Sequence, residues 1–227
     1  MALIWISLMA AGFLLGLQHS FESDHVAAVA TMASKSRSLK ERSSAGLFWG
    51  IGHTMMLVLA VIAVFLLKIS IPETFTAFAE IAVGVMLIVL GLFSVPNFIN
   101  GYHFHFHQHE KQQHAHFHKH EKTSILHEHM HKNINKKTFA IGALHGMAGS
   151  GTLVVLLSTV AATFAGSLIY VLVFGIGSIS GMMLSSTLIG MPLRMTKEKF
   201  TNAHNFLGTG IGLLSAVIGV AHIAGVA

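Results

Sequence analysis

Residues Met1–Ala33 read MALIWISLMAAGFLLGLQHSFESDHVAAVATMA: a long apolar run, a polar insert His19-Ser20-Phe21-Glu22-Ser23-Asp24-His25, and an apolar run again from Val26. The length of this stretch decides the fold. About 20 apolar residues cross the roughly 30 Å hydrocarbon layer of a bilayer. A stretch this long satisfies its backbone inside lipid only as a helix, because barrel strands are short and alternate. Five more such stretches follow, so the predicted spans are Ala2–Ala33, Ala45–Leu67, Thr76–Phe98, Thr138–Thr163, Ser167–Pro192 and Ala203–Val226. The fold class expected is an all-α membrane protein with six transmembrane helices.

Composition agrees. Of 227 residues 53% are hydrophobic and 10% charged, against about 45–50% and 25% in soluble domains. So few charges would not cover a soluble surface. Cysteine is absent, which excludes disulfides, thiolate metal sites and cysteine nucleophiles. No Lys or Arg precedes the first apolar run, so it reads as a span and not as a cleaved signal. The net charge of +5 reports orientation instead of nucleic-acid binding. Thirteen of the fourteen Lys and Arg residues fall in the loops between spans one and two, three and four, and five and six, and only Lys68 falls opposite. The positive-inside rule then puts these loops in the cytosol and both termini outside, in a multi-pass protein of the cytoplasmic membrane.

The two halves resemble each other. Gly16-Leu17-Gln18-His19 parallels Gly142-Ala143-Leu144-His145, Gly50-Ile51-Gly52 parallels Gly175-Ile176-Gly177, and Gly84 and Gly91 parallel Gly212 and Gly219. The offsets are 126, 125 and 128 residues. An odd number of spans per half makes this a 3+3 inverted repeat, with residues 1–98 and 138–227 as the halves and 99–137 as a His-rich cytosolic loop. Such repeats put a substrate site near the midplane, where helices are interrupted.

The polar insert is the candidate site. Two imidazoles and two carboxylates within seven residues are costly to bury in lipid and are functional candidates. On an ideal helix His19, Glu22 and His25 share a stripe and Asp24 lies off it; local unwinding at Ser20–Ser23 would bring more of them together. At about 1.5 Å per residue from the cytoplasmic ends, His25, His53 and His145 lie roughly 13, 12 and 10 Å deep. The candidate metal ligands are therefore His19, Glu22, Asp24, His25, His53 and His145. For His145, a simple hydrogen bond to a neighbour stays open beside ligation. Imidazole-rich sites suit Ni2+ and Co2+, and also Zn2+.

His19-x4-Asp24-His25 is similar to the His-x4-Asp-His signature of the nickel/cobalt transporter family. Trp49-Gly50-Ile51-Gly52-His53-Thr54 resembles that family's second motif. The six-span layout and His145-Gly146-Met147-Ala148-Gly149-Ser150 look more like the urease-associated nickel permease branch. The resemblance implies Ni2+ or Co2+ transport, with His19, Asp24, His25 and His53 handling the metal. Two departures stand out: the family's later acidic motif has no counterpart, and Ser186 stands where Gly181-Met182 would lead to an aspartate.

The loop carries eleven of the seventeen histidines: His103, His105, His107, His109, His114, His116, His118, His120, His127, His129 and His131. Their alternation suits extended chain, and the interleaved charges point to a disordered, metal-buffering segment. Its affinity falls as ordinary imidazoles protonate near about pH 6.5.

The expected function is transport of divalent transition metals, in the direction of uptake, by alternating access. The expected partners are the lipid bilayer, the metal ions and cytosolic metallochaperones, with no nucleic acid and no prosthetic group. Efflux by proton antiport is the alternative, and a sensor or accessory protein without transport is the alternative of another class. An enzyme is disfavoured: there is no His-His pair, and His19-x-x-Glu22-x-x-His25 is not the His-Glu-x-x-His of zinc proteases.

Overall fold

The computed structural model describes residues 2–33, 38–68, 72–99, 102–109, 112–119, 131–148, 163–199 and 201–225. These form helices α1 (Ala2–His19), α2 (Ser23–Ala33), α3 (Leu39–Phe65) and α4 (Glu73–Ile99), strands β1 (Tyr102–His109) and β2 (Gln112–Lys119), and helices α5 (His131–His145), α6 (Phe164–Lys199) and α7 (Thr201–Ile223).

Helices α3, α4, α6 and α7 are each long and apolar enough to cross a membrane. Helices α1 and α2 make a fifth candidate span, bent by 57° at the break between them. The first expected span is thus broken where its polar insert sits. The fourth, Thr138–Thr163, begins in α5, but residues 149–162 lie outside the described ones, so the described residues carry five of the six expected spans.

Helix α3 begins well before Ala45. Ser38 caps it, accepting the Glu41 amide N–H at 3.1 Å, the Ser-x-x-Glu pattern that marks a helix start whatever the hydropathy. Arg42, expected in a loop, is therefore inside α3 and only 2% exposed. Its Nη1 donates to the Gly190 carbonyl at 3.1 Å, and the Ser186 hydroxyl donates to the Arg42 carbonyl at 2.7 Å.

The expectation of disorder for the His-rich loop is replaced over part of its length. β1 and β2 pair antiparallel, with His103 opposite His118, His105 opposite His116 and His107 opposite His114. Alternating sequence with aromatic residues favours strands. His120, His127 and His129 lie outside the described residues, and His131 opens α5.

Large apolar residues lie outside as well as in the core, where Trp49, Leu57, Leu87 and Met182 are buried. Leu3, Phe78, Leu92, Phe93, Phe206 and Val217 are all exposed, whereas the interior holds Ala27, Ala28, Ala33, Ser94 and Ser215. Small residues inside let membrane helices approach closely. A Cβ on Gly16 would strike the Phe174 carbonyl and one on Gly177 the Phe13 carbonyl, so α1 lies against α6; Gly52 against Phe139 and Gly142 against Trp49 do the same for α3 and α5. Gly84 meets Gly219 and Gly91 meets Gly212 where α4 crosses α7.

Candidate metal centre

The centre forms where α1 stops. After His19 the backbone tightens, with Phe21 N–H donating to the Gln18 carbonyl at 2.9 Å and Glu22 N–H to the His19 carbonyl at 3.1 Å. α2 then restarts at Ser23 with Asp24 in its first turn, where the helix dipole favours an anion. This is the local unwinding that lets residues off the common helical stripe converge. His19 ends α1 and His145 ends α5, so the negative ends of two helices meet the cluster, an arrangement that favours a cation.

Five of the six candidate ligands are buried together: His19, Asp24, His25, His53 and His145. The ring centroid of His25 lies 4.4 Å from that of His19, 5.4 Å from His53 and 4.1 Å from His145. The shared depth counted from the sequence is thus a shared location. Nε2 of His19 and Nε2 of His53 stand 3.2 Å apart. Two nitrogens that share one ion at about 2.0–2.1 Å are separated by about 2.9–3.4 Å for right-angled to tetrahedral bond angles. His19, His25 and His53 each offer a ligand atom within 4.8 Å of the others, and so do Asp24, His25 and His145.

The carboxylates are already engaged. Asp24 Oδ1 accepts from His25 Nδ1 at 3.1 Å and from the His25 amide at 2.9 Å, while Oδ2 accepts from His145 Nε2 at 2.6 Å. Glu22, the sixth candidate, is half exposed and pairs with His19 Nδ1 at 3.0 Å. His25 Nε2, His53 Nδ1 and His145 Nδ1 are buried without a hydrogen-bond partner. Buried polar atoms are rarely left so, and a cluster of imidazoles with unpartnered nitrogens suits a transition metal.

Trp49 stands in the second motif but is not among the expected site residues. Its ring stacks on His25 at 6.0 Å and 13° and lies 5.6 Å from that of His145. The signal was the spacing: Trp49 is four residues before His53 and therefore on the same helix face. Phe174, 5.5 Å from His19, was likewise unflagged. Ser186, in the place of the family aspartate, bonds the Arg42 carbonyl, outside this cluster.

A helical membrane protein with an imidazole cluster buried at a broken span has the make-up expected of a metal-ion permease, and its similarity to known proteins gives the family. The sequence profile described as high-affinity nickel-transport protein (NicO) matches residues 5–227, and the chain belongs to that family. It is 34% identical to the urease accessory protein UreH of Bacillus sp. (strain TB-90), over 95% of this chain and 90% of that protein. It is 31% identical to a high-affinity nickel transport protein of Cupriavidus necator, over 41% of this chain and 27% of that protein. No solved structure matches. The chain is therefore a multi-pass membrane transporter and not an enzyme, and nickel is the metal of its family.

Proposed function

We propose that this protein takes up Ni2+, and Co2+ as a second substrate, across the cytoplasmic membrane by alternating access, with His19, Asp24, His25, His53 and His145 as the metal-handling residues and Glu22 at their edge. The observation that carries the reading is the burial of these groups at a break between two apolar helices, with ring nitrogens left unpartnered. Imidazole discriminates for Ni2+, Co2+ or Zn2+ against Mg2+ and Ca2+, which take oxygen ligands. The name of the Bacillus relative supports the reading that the nickel serves urease.

The orientation follows the basic loops, with both termini outside and the His-rich hairpin in the cytosol. The hairpin takes metal from the permeation path, buffers it and passes it to cytosolic metallochaperones. The mechanism is a rocking of one inverted repeat against the other. Matched hydrogen bonds support the repeat. Ser20 N–H to Gly16, Phe21 to Gln18 and Glu22 to His19 recur as Gly146 to Gly142, Met147 to Leu144 and Ala148 to His145, each pair 126 residues apart.

The test is cell-associated nickel after expression. The expected result is a rise over vector controls that His25→Ala and Asp24→Ala abolish. A lower metal content with gained nickel resistance would overturn uptake in favour of efflux. Nickel binding by purified protein without flux in proteoliposomes would leave only a sensor or accessory role.

A further inference from the structure

We infer that the ion is held by three imidazoles, His19, His25 and His53, while Asp24, Glu22 and His145 position those rings without bonding it. This rests on the metal-site reading above and divides the labour within that site.

The division follows from who can donate. A carboxylate only accepts hydrogen bonds, so any ring nitrogen facing it must carry the hydrogen. His25 faces Asp24 through Nδ1, which fixes its lone pair at Nε2, and that atom is buried and unpartnered. His19 faces Glu22 through Nδ1. Its lone pair is thereby at Nε2, and this is the atom 3.2 Å from His53 Nε2. Two carboxylates thus leave each of two rings a free Nε2, and that of His19 faces His53.

Asp24 has little left to offer an ion. Its oxygens already accept from His25 Nδ1, the His25 amide and His145 Nε2. His145 Nε2 donates to Asp24 Oδ2 at 2.6 Å, so His145 acts through Asp24; the competing arrangement is the second group that could hold an ion, Asp24, His25 and His145. Among the described residues His145 is also the one hydrogen-bonded contribution from the second half of the chain to this network, which links the rings of the first half to α5. The pattern of carboxylate behind histidine behind metal is how proteins fix a ligating imidazole and raise its basicity. Three nitrogen ligands leave coordination positions open for water, as an ion that must leave again requires. The ligand set is neutral, and the carboxylate charge lies one ring away.

The test uses the full-length chain in detergent, with the eleven loop histidines replaced by glutamine so that only the buried cluster binds the Ni2+ probe. Nickel-edge X-ray absorption should count three imidazoles and no carboxylate. Asp24→Asn and His145→Ala should weaken Ni2+ binding by about 10–100-fold and leave the imidazole count unchanged. His19→Ala, His25→Ala and His53→Ala should each remove one imidazole. A carboxylate bonded to nickel in the parent chain, or an imidazole lost in His145→Ala, overturns the division of labour and leaves the metal site standing. Unchanged Ni2+ binding in His25→Ala sinks the site itself. The parent-chain spectrum needs no substitution in the cluster, so it decides even where a variant fails to fold.

Discussion

Trp49 makes the centre observable at the scale of single residues. The chain has two tryptophans; Trp5 is 42% exposed on α1, while Trp49 is buried against His25 and His145. A paramagnetic Ni2+ ion bound in the cluster would lie next to the Trp49 indole and would quench its emission. Titration of the Trp5→Phe protein with Ni2+ should therefore quench most of the fluorescence, and Trp49→Phe should leave the Trp5 signal unchanged. Quenching that persists in Trp49→Phe would move the ion away from this cluster. His19, Glu22, Asp24, His25 and His53 were legible in the sequence because a titratable group inside an apolar run needs a reason to be there. Trp49 and Phe174 were not, because aromatic residues in a membrane helix carry no such cost and only the packed structure puts them beside the rings. Arg42 was legible as a charge but misplaced, since its burial depends on a carbonyl 148 positions away.

At the scale of elements, the apolar lengths gave the helices and misjudged their ends, which are set by capping at Ser38 and by the turn after His19 rather than by hydropathy. The contacts between helices rest on glycine. A Cβ at Gly52 would run into the Phe139 carbonyl and the Ala143 amide, both backbone atoms that cannot rotate away. Gly52→Ala should therefore cost about 1–3 kcal/mol, the usual penalty of overpacking. The measurement is the thermal unfolding midpoint in detergent, with Gly210→Ala, which meets nothing within 4 Å, as the unaffected control. The paired strands β1 and β2 contain none of the buried cluster residues. Deleting 101–132 should leave the initial rate of nickel uptake intact while lowering the amount of nickel retained per protein. Loss of uptake in that deletion, together with a silent His25→Ala, would move the transport site out of the buried cluster and into the loop. The alternation of histidines gave the extended backbone but not the pairing of β1 with β2, because a pattern that repeats every second residue leaves the register of two such strands open.

At the scale of the whole molecule, the glycine contacts support the proposed repeat, and the candidate site departs from it. Gly16 with Phe174 is matched by Gly142 with Trp49, and Gly52 with Phe139 by Gly177 with Phe13, so each first span leans on the middle span of the other half. Yet the second half has Ser178 where Gly50-Ile51-Gly52-His53 has its histidine, and Ser178 is buried without a partner. Under the proposed inverted repeat, one set of imidazoles would serve both halves. A dication that crosses alone in this way responds to the membrane potential with its full charge. At about 2.3 kcal/mol per charge per 100 mV, Ni2+ gains about 4.6 kcal/mol at 100 mV, or about three orders of magnitude in accumulation at about 1.4 kcal/mol per tenfold. Proteoliposomes with an inside-negative potassium diffusion potential should accumulate nickel steeply with voltage and without a pH gradient. Uptake that ignores voltage and follows an imposed pH gradient would instead require a proton-coupled exchange. His25→Ala vesicles, which lack one imidazole of the centre, should show neither response, which separates flux through the buried site from leakage across the lipid.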